Sequence, residues 1–212
     1  MELQAALQCI HIYSPDPLAA ARFYASTYDM ELEPIAGGHR CNGPRRELQI
    51  SAGPANQLKY VHFALHSASA REAFTVRVQR LEHRALPGAF AGGKQAIGVQ
   101  DPDGNLAVFT PPAADPLASK SAGLPPVTLQ HLGLRTAHLP AMLAFYTGKL
   151  GFVLSDAVKD PGGELRACFL RTATKPVPPG KPTPYECLHT RFRRDTFPGR
   201  HRRRRAYRAD AG

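Results

Sequence analysis

The sequence predicts an α+β fold made of two similar modules in tandem, and three observations support this. Segments with strand alternation and segments with helical spacing follow in the order strand–helix–strand–strand–helix–strand–strand, and the order then restarts. The segment FYASTYDMEL at 23–32 aligns without a gap with FYTGKLGFVL at 145–154, which indicates an internal repeat. A D-P-D-G-N segment at 101–105 separates two strand-like segments, as expected for a tight hairpin turn.

The first module is assigned to residues 1–112. Residues 7–13 and residues 59–66 alternate between apolar and polar side chains, as half-buried strands do. Asp16 followed by Pro17 predicts the start of a helix, because aspartate is a favoured N-cap and proline a favoured first helical residue. Further strands are predicted at 46–52, 95–100 and 105–110, and a Ser69–Glu72 capping box predicts a second helix.

A Pro-, Ala- and Ser-rich linker at 113–127 precedes the second module at 128–170. In this module, residues 129–136 predict a strand, and Pro140 opens a predicted helix. A further strand is predicted at 164–170, where the pattern stops. The sequence therefore predicts that the second module is incomplete and holds its N-terminal half alone.

The last 42 residues differ in charge and composition from the rest. The formal net charge of the chain is +10, and residues 171–212 carry +9 of it, with 12 basic and 3 acidic residues and 6 prolines. They are predicted to form an irregular, disordered basic tail. Two interpretations stay open, a functional tail and the product of a frameshift or truncation after residue 172. Nucleic acid is not the expected partner, because residues 1–170 resemble no nucleic-acid module.

The composition predicts a cytoplasmic protein. Four cysteines form no C-x-x-C pair, which argues against a disulfide framework or a zinc knuckle. The N-terminus does not follow the pattern of a signal peptide, and no segment approaches the roughly 20 apolar residues of a membrane helix. We therefore expect no membrane partner.

Three motifs carry a resemblance to a known family: H-L-G-L-R-T…F-Y-T-G-K-L-G-F at 131–152, V-H-F-A-L at 61–65 and V-Q-D-P-D-G-N-L-A-V-F at 99–109. Over roughly residues 5–170 the chain resembles the vicinal oxygen chelate superfamily of glyoxalases, bleomycin-resistance proteins and extradiol dioxygenases. The resemblance implies βαβββ modules. It is greatest to type I extradiol dioxygenases that cleave catechols or dihydroxybiphenyl. It therefore implies an Fe(II) cofactor, O₂ and a small aromatic diol as substrate.

Such enzymes hold Fe(II) with two histidines and one carboxylate. By this resemblance His131 is the one predicted metal ligand, and no cofactor-binding or catalytic residue is assigned. His189 is predicted to be structural, and no glutamate corresponds to the third ligand. The equivalent places in the first module hold Cys9, His62 and Val108, which implies a first module without metal.

The leading hypothesis is therefore an extradiol dioxygenase-like enzyme with an incomplete iron site, which leaves open whether this chain is active. The alternatives are a metal-free small-molecule binding protein of the same fold and a glyoxalase-like lyase. Homo-oligomerisation is a further expectation, because the half-built second module is predicted to expose Phe152, Leu154, Phe169 and Leu170. The sequence does not identify the ring substrate.

Overall fold

The structure is a computed structural model of the 212-residue chain. It describes residues 2–43, 46–79, 95–112, 129 and 131–173, together with the backbone of residues 189–194. The predicted linker at 113–127 lies outside the described residues. None of the helices in the described part of the chain is long and apolar enough to cross a membrane.

The first sheet has seven strands in the order β2-β3-β4-β1-β5-β7-β6. Its strands lie close to the predicted segments, because apolar alternation marks the ones that bury one face. The elements are β1 (Ala5–Ser14), α1 (Pro17–Thr27), β2 (Glu31–Ile35), β3 (Gly38–Gly43), β4 (Arg46–Ala52), β5 (Leu58–Leu65), α2 (Ala68–Gln79), β6 (Ile97–Gln100) and β7 (Leu106–Thr110).

The second sheet has four strands in the order β8-β11-β10-β9. Its helix α3 continues without a break into one π-helical segment, Phe145–Leu150, and Gly151 ends it at a φ of 87°. The elements are β8 (His131–Thr136), α3 (Leu139–Ala144), β9 (Val153–Lys159), β10 (Leu165–Arg171) and β11 (His189–Arg194).

One pairing scheme recurs in both sheets. β1 pairs in parallel with β4, and β4 and β2 both pair antiparallel with β3. In the same way, β8 pairs in parallel with β11, and β11 and β9 both pair antiparallel with β10. Likewise, β5 pairs in parallel with β7, and β7 pairs antiparallel with β6. The predicted fold class, α+β with βαβββ units in tandem, is confirmed.

The internal organisation differs from the prediction in two respects. Residues 1–112, assigned to one module, contain two units that meet at the antiparallel β1–β5 pair, whereas the second sheet contains one. The predicted irregular tail at 171–212 is wrong for residues 189–194, because they form β11 between β8 and β10. The rest of that tail beyond residue 173 lies outside the described residues.

One hydrophobic core joins the two sheets. The Phe63 ring from β5 packs against Phe109 at 5.3 Å and against Phe152, which leads into β9, at 5.6 Å between ring centroids. Phe152 and Leu170 are 3% and 0% exposed, so the predicted exposure is wrong for these two residues, whereas Leu154 is exposed as predicted. The burial of Phe152 and Leu170 against the first sheet stabilises the contact between that sheet and the βαβββ unit of the second sheet.

The starts of α1 and α2 test the capping residues that were predicted from the sequence. Asp16 caps α1 as predicted, since its carboxylate accepts a hydrogen bond from the Ala19 backbone N–H at 2.9 Å. The predicted Ser69 cap of α2 is wrong by two residues. Ser67 accepts the Ala70 N–H at 3.0 Å instead, and Ser69 lies inside the helix.

Candidate functional site

His131 is the first residue of β8, and its side chain is exposed. Along this strand His131, Gly133 and Arg135 are exposed, whereas Leu134 is buried in the core. Alternate residues of a strand point to opposite faces, so His131 lies on the face of the second sheet that α3 does not cover. The imidazole is therefore accessible to a ligand.

The described residues do not form a complete metal site around His131. Among them, no group of three or more His, Cys, Asp or Glu side chains is placed to hold a metal ion. His189 is the Cα partner of His131 in the parallel β8–β11 pair, a backbone position that the sequence pattern did not predict. On the described side chains alone, the two-histidine, one-carboxylate set expected for Fe(II) does not fit.

In the first sheet, the three residues at positions equivalent to metal ligands, Cys9, His62 and Val108, lie side by side on adjacent strands. Cys9 on β1 is the Cα partner of His62 on β5, and His62 is the Cα partner of Val108 on β7. Glu47 on β4 completes this row as the other partner of Cys9. Sequence reasoning missed Glu47, because the parallel β1–β4 pairing that places it beside Cys9 has no local signature.

Glu47 and His62 of this row are bound by neighbouring side chains outside it. The Glu47 carboxylate accepts a hydrogen bond from the Gln49 amide and lies 3.4 Å from the Arg40 guanidinium. His62 shares a hydrogen bond of 2.8 Å between its Nε2 and the Thr110 hydroxyl. Burial lowers the pKa of His62, so its imidazole is neutral at neutral pH.

The Cys9 thiol is protonated for a related reason. Burial raises its pKa, and the neighbouring Glu47 carboxylate adds to that increase. Because the thiolate is the form that ligates metals, a protonated Cys9 behaves as a small buried side chain.

His11 is the exception in this polar face. It is 4% exposed, and its Nε2 shares a hydrogen bond of 2.7 Å with the Ser51 hydroxyl. Its Nδ1 has no hydrogen-bond partner within the part of the chain that the structure describes. Burial lowers the pKa of His11 to about 4, with a smaller contribution from the positive charge of Lys59. Next to the Cys9 row, the neutral imidazole therefore has one ring nitrogen that no described residue binds.

The D-P-D-G-N hairpin contacts the βαβββ unit of the second sheet. The Asp101 carboxylate accepts the backbone N–H groups of Asp103 and Asn105 at 3.0 and 2.8 Å, which closes the predicted turn. The same carboxylate accepts the Tyr146 hydroxyl at 3.1 Å, and Asp103 lies 2.9 Å from Nδ1 of His138. Both contacts cross from the first sheet to the helix that follows β8.

Replacing Tyr146 by phenylalanine is expected to lower the free energy of unfolding by about 1–2 kcal/mol. The change keeps the buried ring but removes the hydroxyl that Asp101 accepts, and burial already raises the pKa of that carboxyl. Urea denaturation measures the loss. Tyr28→Phe is the matched control, because Tyr28 is 52% exposed. Equal stability of the two variants would contradict this role of the hydroxyl.

Part of the sequence matches the model of a known family. Residues 128–193 match the sequence model of the Glyoxalase/Bleomycin resistance protein/Dioxygenase superfamily. No curated protein matches the sequence. The matched region begins just before β8 and ends within β11, so it coincides with the βαβββ unit of the second sheet.

Several solved structures share the fold. The Mn(II)-bound glyoxalase from Novosphingobium aromaticivorans is 20% identical, with a TM-score of 0.63, over 90% of this chain and 62% of that chain. The 2,3-dioxygenase LapB from Pseudomonas sp. KL28 is 14% identical, with a TM-score of 0.69, over 91% and 71%. Homoprotocatechuate 2,3-dioxygenase from Brevibacterium fuscum, in complex with 3,4-dihydroxyphenylacetate, is 18% identical, with a TM-score of 0.63, over 91% and 61%.

The chain thus spans less than two thirds of the length of the glyoxalase and of the homoprotocatechuate dioxygenase. The βαβββ unit of the matched region has the same strand pairing as the units of the first sheet. Residues 128–193 thus match the model of the Glyoxalase/Bleomycin resistance protein/Dioxygenase superfamily, and the chain shares its fold with these solved structures.

Proposed function

We propose that this chain is an extradiol dioxygenase-like protein in which His131 contributes one ligand to an Fe(II) site for a catechol-type diol and O₂. The observation that supports the proposal is the position of His131. It opens the strand of the superfamily-matched unit and is exposed on the face opposite buried Leu134. The fold shared with LapB and with the homoprotocatechuate enzyme is compatible with a ring-cleavage activity, and the glyoxalase from Novosphingobium aromaticivorans shares it to a similar degree.

Because the described side chains include no complete ligand set, no catalytic step is assigned to them. The proposal requires further ligands from residues outside the described ranges or from another chain. The described part of the first sheet does not provide them, since Glu47 pairs with Arg40, and His62 hydrogen bonds to Thr110.

The test is Fe(II) binding and ring cleavage by the purified full-length chain. Under anaerobic conditions we expect saturable Fe(II) binding. After air is admitted with 3,4-dihydroxyphenylacetate, we expect O₂ uptake and a ring-opened product with the mass of substrate plus O₂. His131→Ala is expected to weaken iron binding roughly 100-fold or more and to abolish product formation. His39→Ala, in β3 of the first sheet, is the matched histidine control.

Iron binding that is equal in wild type and His131→Ala would refute the role of His131. Iron binding that depends on His131 without any ring-opened product from a panel of catechols would refute the dioxygenase activity. Mn(II) and Zn(II) titrations of the same two proteins show whether the site prefers another metal ion.

A second candidate function is metal-free binding of a small polar aromatic molecule at the first sheet. The observation that favours it is Nδ1 of His11, which has no hydrogen-bond partner among the described residues. The His11 ring is buried beside Tyr60, with 4.9 Å between the two ring centroids. A hydroxyl group of a bound ligand would satisfy this atom. Calorimetric titration of the chelator-treated protein with 3,4-dihydroxyphenylacetate tests it. Saturable binding that His11→Phe removes supports this function, and near-stoichiometric iron in the purified protein rejects it.

A further inference from the structure

A cavity of about 180 Å³ is lined by α2, by residues 2–4 before β1 and by Leu150 at the end of the π-helical segment. We refer to it as the α2 cavity. An apolar protein cavity of about 150 Å³ binds benzene, so the α2 cavity has room for a ligand with one ring or one branched chain. Its apolar wall is formed by Leu3, Ala70, Ala73, Phe74 and Leu150.

The wall of the α2 cavity is held by core packing and by backbone hydrogen bonds. Phe74 packs against the Phe109 ring with 4.2 Å between the two centroids. The Leu3 backbone N–H donates to the Gly151 carbonyl at 2.7 Å, and the Leu3 carbonyl accepts the Ala173 N–H at 2.7 Å. The cavity is therefore preformed, as most small-molecule sites are.

The polar residues that line the α2 cavity are Glu2, Gln4, Ser69 and Arg77. Arg77 is partly buried in the last turn of α2, whereas Glu2 is exposed. A partly buried charge is less screened by water, so the positive charge of Arg77 has the larger effect on a ligand. A guanidinium has five N–H donors, so Arg77 can bind a carboxylate in addition to the contact that it makes within the protein.

We propose that the α2 cavity binds a small monocarboxylate with an apolar body, such as one aromatic ring or one branched alkyl chain. The carboxylate binds the Arg77 guanidinium, and the apolar body lies against Ala73, Phe74 and Leu150. Burial of the apolar body supplies binding free energy, and the charge-assisted hydrogen bonds to Arg77 set the orientation of the ligand.

The α2 cavity is separate from the residues of the proposed function. Phe109, which supports its wall, lies next to Val108 in β7, and successive residues of a strand point to opposite faces. The Cys9 row that includes Val108 is therefore on the other side of the first sheet. His131 likewise lies on the face that α3 does not cover, whereas Leu150 ends the helical segment on the covered face. The proposal needs neither iron nor a catechol, so either proposal can fail alone.

NMR titration of the full-length, chelator-treated protein tests the charge preference, with benzoate and 3-methylbutanoate as probes. We expect saturable changes in amide chemical shifts, centred on α2, residues 3–4 and Leu150. Benzamide, the neutral analogue of benzoate, is expected to bind more weakly. Arg77→Gln is expected to lower the affinity for benzoate about 10-fold, because it removes a charge-assisted hydrogen bond. Arg22→Gln, the same change at an exposed position of α1, is the matched control and is expected to leave the affinity unchanged.

A second pair of variants tests the volume of the cavity. Ala73→Leu is expected to fill the space between α2 and Leu150 and to abolish binding of both probes. Ala141→Leu, the same change at an exposed position of α3, is its control. Circular dichroism shows whether each variant is folded.

Four outcomes would overturn the proposal. They are no binding of either probe to the folded wild type, shift changes centred on β1 or β8 instead of α2, benzoate affinity that neither Arg77→Gln nor Ala73→Leu lowers, and tighter binding of benzylamine than of benzoate. The last outcome, if Glu2→Gln weakened it, would identify the cavity as a site for cations.

Discussion

Replacing Phe63 by alanine is expected to lower the free energy of unfolding by roughly 3–5 kcal/mol, the usual cost of deleting a buried aromatic ring. Phe63 is 2% exposed. Its ring contacts Phe109 within the first sheet and Phe152, which leads into β9 of the second sheet. The cavity would therefore open at the junction of the two sheets. Urea denaturation monitored by circular dichroism measures the loss.

The matched control is Phe23→Ala on the outer surface of α1. Phe23 is 60% exposed, so its truncation removes little buried area and is expected to change stability by less than about 0.5 kcal/mol. If Phe63→Ala and Phe23→Ala were equally stable, the two sheets would not share the core that we describe.

The elements predicted from the sequence are those whose own residues decide their structure. β5 was predicted because Val61, Phe63 and Leu65 bury one face. The start of α1 was predicted because Asp16 is a favoured N-cap and Pro17 a favoured first helical residue. In both cases the decisive contacts lie within one element or on one face of it.

β11 and β3 were not predicted, because their pairing partners place them. β11, with the sequence HTRFRR, has no apolar alternation and follows a proline-rich segment, yet it pairs along both edges. β3 contains Gly38 and Gly43 and lies between β2 and β4. Non-local backbone hydrogen bonds leave no periodic signal in the sequence of the strand that receives them.

The burial of residues between the two sheets could not be predicted from the sequence either. Phe152 and Leu170 were expected to be exposed because the second module is small, but they pack against residues more than 80 positions away, such as Phe63. The repeat at 23–32 and 145–154 indicated the units that begin at β1 and at β8. The unit that begins at β5 was not recognised, because its helix carries no Phe-Tyr pair.

For the candidate site, the alternation of residues along β8 separates His131 from Leu132 and Leu134. The assignment of Cys9, His62 and Val108 to the positions equivalent to metal ligands came from the family resemblance. The role of His131 as a ligand stays a prediction. The part of the site that could not be predicted is the Glu47 carboxylate beside Cys9, which depends on the register of a long-range parallel pair.

Acidification is expected to destabilise the protein chiefly through His11. Burial lowers its pKa to about 4 from an ordinary value of 6.5, so the unfolded chain binds a proton more readily than the folded one. The stability that depends on a neutral His11 is fully present above about pH 6.5 and is lost as the pH falls towards 4. The shift corresponds to a loss of about 3 kcal/mol over that interval.

His11→Gln separates this effect from other acid effects. Glutamine keeps a polar group near the Ser51 hydroxyl but does not titrate, so its stability is expected to fall less between pH 7 and pH 4. His62, whose pKa is also lowered by burial, contributes in the same direction, whereas the raised pKa of Asp101 opposes it. Denaturation curves of wild type and His11→Gln at both pH values measure the difference. Parallel losses in the two proteins would show that His11 is solvated in the folded state, and its burial in the polar face would then be wrong.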